Sequence, residues 1–153
     1  MLYKIEIFNK PEIPDGAQEN LKKDIYDLGI HSVADAKISL LYFIEGNLSD
    51  KQLTDVCYRL LADPITQDYT VSAQSSKKAL TQEGKSIEVY YKADVTDAAG
   101  DTVKIALADL KIKNVESVRT GMKYSLTGPN RQDLVRISEK LLANKVVQNY
   151  KII

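Results

Sequence analysis

The chain has very few of the residues on which metal, redox and covalent catalysis depend. Its 153 residues include one cysteine, one histidine and no tryptophan. The single Cys57 excludes an internal disulfide and favours a reducing compartment. One histidine and one cysteine are too few for a zinc site or a cysteine–histidine nucleophile within one chain. The seven glycines form neither of the common glycine-rich phosphate-binding motifs. These absences indicate a scaffold rather than a catalyst.

The chain also lacks an excess of charge of either sign and a long hydrophobic run. Lys plus Arg and Asp plus Glu number 21 each, so the formal net charge is zero. Because proteins that bind phosphate backbones normally carry a basic excess, the charge balance predicts no nucleic-acid partner and no membrane partner. No apolar stretch approaches the roughly 18 residues of a membrane span, and residues 1–4 do not resemble a signal peptide. We therefore expect a cytoplasmic protein.

The chain does contain an internal repeat of roughly 80 residues, longer than the repeats of solenoid proteins. Residues 5–8 (IEIF) correspond to residues 87–90 (IEVY), and residues 59–69 correspond to residues 140–150. Each copy is therefore predicted to be a small structural unit. A unit of about 70 residues is marginal by itself, so we expect the function to belong to the pair.

The boundaries that follow from the repeat are residues 1–71 for unit 1, residues 72–85 for a polar linker and residues 86–153 for unit 2. Each copy has the pattern strand, helix, long strand, helix, strand. Asp15 with Gln18, and Ser49 with Gln52, have the spacing of capping boxes at the starts of the two helices of the first copy.

The long strand of each copy, residues 33–44 in the first, is about twice the usual strand length. Because open strand edges promote aggregation, we expect the surplus length to pair between copies. The predicted fold class is α+β. It consists of two β-α-β-α-β units with helices on one face of a mainly antiparallel sheet, packed as a pseudo-twofold dimer.

Single residues with chemical potential have ordinary structural interpretations. His31 lies in a predicted loop and is expected on the surface. Cys57 lies on the apolar face of a helix, where the second copy has Ser138, which indicates a small buried side chain. Gly100 is a weak candidate for an anion site and a better candidate for a turn. The nine tyrosines are suited to interfaces because they combine apolar area with a polar tip.

Three segments of the second copy carry a family resemblance: residues 97–100 (DAAG), 115–121 (VESVRTG) and 139–150 (EKLLANKVVQNY). In this order and spacing they resemble PurS, the small subunit of phosphoribosylformylglycinamidine (FGAM) synthase. The first copy is similar but more diverged, with AKIS at residues 36–39 and LLADPI at residues 60–65. PurS normally has one copy and dimerises, so the chain resembles a tandem fusion of that dimer.

The resemblance implies an adaptor without catalytic or metal-binding residues in the FGAM synthase complex of purine biosynthesis. The complex is an ATP-dependent, glutamine-using carbon–nitrogen ligase, and its ATP, Mg and glutamine are bound by other subunits. The adaptor would join the glutaminase subunit (PurQ) to the synthetase subunit (PurL) and help ammonia reach formylglycinamide ribonucleotide. An alternative is a tandem regulatory module that binds a small metabolite between its halves, and an unrecognised enzyme is a third. Higher assembly of the internal pseudo-dimer remains open.

Partner contacts are expected on the long strand of the second copy. Arg119 and Lys123 are predicted to point to the face opposite Val118 and Tyr124. The expected partner-binding residues are Arg119, Gly121, Lys123 and Tyr124. A solvated strand face is the alternative interpretation of the same pattern.

Overall fold

The computed structural model describes residues 1–73 and 85–153. The strands are β1 (Leu2–Asn9), β2 (Asp35–Gly46), β3 (Gln67–Ala73), β4 (Lys85–Tyr91), β5 (Val115–Thr127) and β6 (Gln148–Ile152). The helices are α1 (Gly16–Asp27), α2 (Asp50–Val56), α3 (Ala98–Asp109) and α4 (Arg131–Ile137). Both copies therefore have the predicted β-α-β-α-β order. The predicted linker lies largely outside the described residues, although Ser72 and Ala73 belong to β3 and Lys85 to β4.

The helix starts in the first copy follow from their capping residues. The Asp15 carboxylate accepts hydrogen bonds from the backbone N–H groups of Ala17 and Gln18 at the start of α1. Ser49 and Gln52 form the reciprocal capping box predicted at the start of α2. The capping box predicted at Asp15 is only half correct, because the Gln18 side chain accepts a hydrogen bond from Ile38 N instead.

Each of the two shorter helices continues as a π-helical turn, Cys57–Leu61 after α2 and Ser138–Leu142 after α4. The wider turns are closed by 2.9 Å hydrogen bonds from Ala62 N to Cys57 O and from Ala143 N to Ser138 O. π-helical turns are rare in proteins. Their occurrence at equivalent positions shows that the two copies share even irregular backbone geometry.

The six strands form one sheet in the order β3-β1-β2-β5-β4-β6. β1 pairs antiparallel with β2 and β3, and β4 pairs antiparallel with β5 and β6. The two long strands, β2 and β5, are therefore neighbours. The predicted α+β class and the predicted pairing of the long strands between copies are confirmed.

The first compact unit consists of Met1–Ile13, Leu40–Lys78 and Thr96–Thr120. Its core combines apolar side chains of β1, β2 and α2 with Leu107 of α3 and Val118 of β5. One helix and part of one strand in this core therefore come from the second copy of the repeat.

The second compact unit consists of Pro14–Ser39, Ala79–Val95 and Gly121–Ile153. Its core places the α1 side chains Leu21 and Ile25 among side chains from β4, β5 and α4. The exchange is reciprocal, since α1 comes from the first copy and the other three elements from the second. The boundaries 1–71 and 86–153 stay a prediction about the repeat, and each compact unit draws on both copies.

The buried face of α3 does not extend to the end of the helix. Leu107 is fully buried, but Leu110 is 41% exposed because α3 ends at Asp109 and Leu110 is its C-terminal cap. Within the described residues, no helix is long and apolar enough to cross a membrane.

Candidate functional site

Two of the predicted contact residues lie on one face of the β4–β5 pair, which we call the polar face. Ile87 and Val89 of β4 point into the core of the second unit, and because side chains alternate along a strand, their neighbours point the opposite way. The antiparallel register pairs Ser86 with Ser125, Glu88 with Lys123, and Tyr90 with Gly121. These six residues define the polar face.

Glu88 and Lys123 are directly opposite each other across the two strands. Opposed residues have Cβ atoms about 5 Å apart, so an acidic and a basic residue leave the sheet from neighbouring positions. Glu88 is only 2% exposed, and the Tyr90 hydroxyl donates a hydrogen bond to its carboxylate. Within residues 1–73 and 85–153, no buried side-chain N or O atom lacks a hydrogen-bond partner. The Glu88 carboxylate is therefore held inside the structure by the Tyr90 hydroxyl.

Gly121 has a structural explanation that the sequence did not reveal. A Cβ atom at this position would lie 2.8 Å from the Val89 carbonyl oxygen and 3.1 Å from Cδ1 of the Tyr90 ring. The aromatic ring of Tyr90 therefore packs over a position that only glycine can occupy without displacement. Gly121 shapes the polar face through its missing side chain.

The other two predicted contact residues are not among these six. Arg119 is half-buried and lies in the β5 segment of the first unit, whereas Gly121 and Lys123 belong to the second. Tyr124 lies on the opposite face of β5, where it packs against the core of the second unit. Burial raises the pKa of the Tyr124 hydroxyl above its ordinary value. The role of these four residues in partner binding stays a prediction.

The equivalent face of the first copy has different chemistry. Glu6 pairs with Leu41, and Lys4 pairs with Phe43 across β1 and β2. Leu41 is fully buried, and the Lys4 ammonium lies 5.9 Å from the centre of the Phe43 ring, within cation–π range. The first copy therefore has a buried apolar residue where the second has Lys123, so the two copies differ in composition at equivalent positions.

Asp97 is the N-terminal cap of α3 and also contacts β5. This carboxylate is 3% exposed and accepts hydrogen bonds from Gly100 N at 2.9 Å and Thr120 N at 2.6 Å. The Thr120 hydroxyl also donates to it at 2.9 Å. Asp97 thus joins the start of α3 to the middle of β5. The contact depends on tertiary structure. The sequence shows only that Asp97 and Thr120 are equivalent in the repeat to Asp15 and Ile38 of the first copy.

Gly100 is a second position at which close packing leaves no room for a side chain. A Cβ atom there would lie 2.5 Å from the Val118 carbonyl oxygen. Its N–H group is used by Asp97, and the residue is buried within α3. The turn favoured at Gly100 is therefore wrong, because the residue lies inside α3, and its N–H group is not available for the anion site named as the weaker candidate.

Cys57 and His31, the two chemically versatile side chains considered in the sequence, both pack against other residues of the protein. Cys57 is fully buried, and desolvation raises the pKa of its thiol to about 11, so the thiol is protonated at neutral pH. His31 is exposed and stacks on the Tyr26 ring with the ring centres 4.1 Å apart. No cluster of three or more potential metal ligands occurs in the described part of the chain.

Comparison with protein families gives two matches to one family. The model of PurS, described as phosphoribosylformylglycinamidine (FGAM) synthase, matches residues 2–75 and again residues 85–153. These two matches confirm the tandem duplication inferred from the repeat. No curated protein matches the chain.

Several solved structures are similar to one copy of the repeat. The PurS subunit from Methanocaldococcus jannaschii is 27% identical, with a TM-score of 0.40, and the match covers 45% of this chain and 90% of that one. PurS from B. subtilis is 33% identical, with a TM-score of 0.39 and coverages of 45% and 95%. A chain of PurLQS from Thermotoga maritima is 24% identical, with a TM-score of 0.36 and coverages of 46% and 94%.

Proposed function

Because this chain belongs to the PurS family and contains its unit twice, we propose that it is the adaptor subunit of FGAM synthase. The adaptor bridges the glutaminase subunit PurQ and the ATP-dependent synthetase subunit PurL. It assists the transfer of ammonia that amidates formylglycinamide ribonucleotide in de novo purine biosynthesis. ATP, Mg and glutamine are used by the other subunits, and the assembly works in the cytoplasm.

The observation that carries the proposal is the double match of the family model, at residues 2–75 and 85–153. The reciprocal cores add support, because α3 completes the first unit and α1 completes the second. A single-copy chain that folded in this way would have to receive one helix from a second molecule. We infer that this chain is the equivalent of a subunit dimer in one polypeptide, a pseudo-dimer with unequal halves.

Reconstitution with the cognate subunits tests the adaptor function. The chain is expected to co-elute with PurL and PurQ and to increase glutamine-dependent formation of the amidated product. The control supplies ammonium directly at high concentration, which removes the need for transfer between subunits and is expected to make turnover largely independent of the chain. Unchanged glutamine-dependent turnover together with no co-elution would contradict the proposal.

The proposed partner contacts are Arg119, Gly121, Lys123 and Tyr124, of which Arg119 offers the cleanest test. Arg119→Ala is expected to weaken complex formation by about tenfold, the scale of a single interface contact. Lys37→Ala is the matched control, because Lys37 occupies the equivalent place on β2 and is exposed. Equal binding by wild type and Arg119→Ala would remove Arg119 from the contact surface without affecting the adaptor role.

A further inference from the structure

Strand β3 of the first copy forms an outer edge of the sheet. It is the first strand in the sheet order, and among the strands of residues 1–73 and 85–153 it pairs with β1 alone. An edge strand offers backbone N–H and C=O groups to a strand of another molecule, so it is a place where unwanted association begins. Proteins therefore protect such edges with specific residues.

The strand register shows which backbone groups of β3 face away from β1. Lys10 N donates to Thr66 O at 2.9 Å, in continuation of the antiparallel register between β1 and β3. Along such a strand, the backbone groups of alternate residues point to opposite sides. Counting from Thr66, the N–H and C=O groups of Tyr69 and Val71 therefore point to the outer edge.

The usual protecting features of an edge strand are present in β6, the outer strand of the second copy, but not in β3. Short length and lysine residues are two such features. β6 has 5 residues and contains Lys151, whereas β3 has 7 residues and has Thr70 at the equivalent position. The segment Gln67–Ala73 contains no lysine and no proline. The edge of β3 must therefore be protected in another way.

A carboxylate lies on one of the outward backbone groups of β3. The exposed Asp68 accepts a hydrogen bond from Tyr69 N at 2.9 Å. This N–H group is one of the donors that a strand added to the edge would need. Asp68 thus occupies the donor and sets a negative charge at the edge. The second copy has the uncharged Asn149 at the equivalent position.

The strand that best fits the edge of β3 is β3 of a second copy of this chain. A twofold axis at Thr70 would set Tyr69 opposite Val71 of the second copy, and their outward N–H and C=O groups would exchange hydrogen bonds. It would also set the two Thr70 side chains opposite each other. Pairs of an aromatic with a β-branched residue, and pairs of threonines, are favourable across strands. Because the strand is complementary to itself, a second copy is the partner against which it needs protection.

We propose that Asp68 is an edge-protecting residue, whose hydrogen bond to Tyr69 N prevents β3 from pairing with β3 of a second copy. The inference goes beyond the adaptor function and does not depend on it. In a β3–β3 pair, each Asp68 carboxylate must give up the Tyr69 N–H group, because Val71 of the other chain takes its place. The two copies of the repeat therefore protect their outer strands differently, the first with a carboxylate and the second with short length and a lysine.

Sedimentation of the full-length chain at concentrations from about 10 µM to 1 mM tests the proposal. Asp68→Ala is expected to strengthen self-association about a hundredfold relative to wild type. The reason is that each of the two chains no longer gives up a hydrogen bond to a charged group, which contributes about a factor of ten. Asp68→Asn retains a neutral acceptor and should give an intermediate gain. Asn149→Ala is the matched control in β6 and should behave as wild type.

A second substitution shows whether the association uses the edge of β3. Adding Thr70→Lys to Asp68→Ala would set two lysines opposite each other in a β3–β3 pair, whereas in the β1–β3 pair this position is opposite Glu6. Like charges across strands are destabilising and opposite charges are stabilising. The double variant is therefore expected to fold and to return to the wild-type level of association. The melting temperature of Asp68→Ala in dilute solution should stay within about 2 °C of wild type, because Asp68 is exposed.

Four results would overturn the proposal. The first is an Asp68→Ala chain that associates no more strongly than wild type. The second is an association that persists after Thr70→Lys is added, since another surface would then carry it, and the third is an equal gain in Asn149→Ala. The fourth is a large fall in melting temperature in both Asp68 variants, because Asp68 would then stabilise β3 itself. Every variant is compared with wild type, so an association that all of them share does not affect the result.

Discussion

Replacing Asp97 by alanine should be among the most destabilising single changes in the second copy. The substitution removes the acceptor for Gly100 N, Thr120 N and the Thr120 hydroxyl in a place where water does not compensate. Asp15→Ala is the matched control, because Asp15 occupies the equivalent position in the first copy. There the carboxylate accepts from two N–H groups at the start of α1, and Gln18 makes the separate contact to β2.

The expected magnitudes follow from the number of donors and from burial. Three donors to a charged acceptor at about 1.5 kcal/mol each suggest a loss of roughly 4.5 kcal/mol for Asp97→Ala. Loss of an ordinary helix cap at Asp15 should cost about 1 kcal/mol. Asp97→Asn retains one acceptor oxygen but sets an amide against a backbone donor, so an intermediate loss of about 2 kcal/mol is expected.

Urea denaturation followed by circular dichroism measures these differences. With a slope of about 2 kcal/mol per molar urea, the midpoint should fall by about 2 M for Asp97→Ala and about 0.5 M for Asp15→Ala. Equal shifts for the two alanine variants would refute the reasoning, because they would mean that the contact between α3 and β5 adds nothing beyond capping.

Three further outcomes follow from the cores and the polar face. Cleavage at a protease site inserted within residues 74–84 should leave the two fragments associated in gel filtration, and residues 85–153 alone should not fold as a monomer. Stability should fall between pH 9 and pH 11, where the unfolded chain loses the Cys57 proton that the folded chain retains at a pKa of about 11. In Cys57→Ser, the fall in the free energy of unfolding between pH 9 and pH 11, measured by urea titration, should be smaller by roughly 2–3 kcal/mol. Wild type and Cys57→Ser losing the same free energy over this pH range would contradict the prediction. Gly121→Val should displace the Tyr90 ring and lower the melting temperature by several degrees. Ser39→Val, at the equivalent position in the first copy, is the control, because it leaves the contact between the Tyr90 ring and Gly121 unchanged.

The local features of the fold were predictable from the sequence because they depend on short-range patterns. The alternation at Tyr3, Ile5 and Ile7 marks β1, and Ser49 with Gln52 marks the start of α2. Pairing of the two long strands was also predictable, since their surplus length required a partner.

Features that depend on strand register or on the partner of an apolar face were not predictable. Periodicity shows that Leu107 is buried, but it does not show that Leu107 packs in a core with β1 and α2. The roles of Gly100 and Gly121 depend on which carbonyl oxygen or ring approaches them, which only tertiary structure decides. For the same reason, the sequence did not show that Tyr124 packs against the core of the second unit.

The reciprocal cores also govern the order in which the chain can fold during synthesis. The first unit requires residues from Met1 to Thr120, and the second requires residues from Pro14 to Ile153. The α1 side chains must therefore wait, uncovered, until β4 and α4 have left the ribosome. Contacts between residues so far apart in sequence form slowly, and apolar surface exposed in the interval is open to aggregation. Joining the two copies in one chain lessens this hazard, because the missing helix is always tethered nearby.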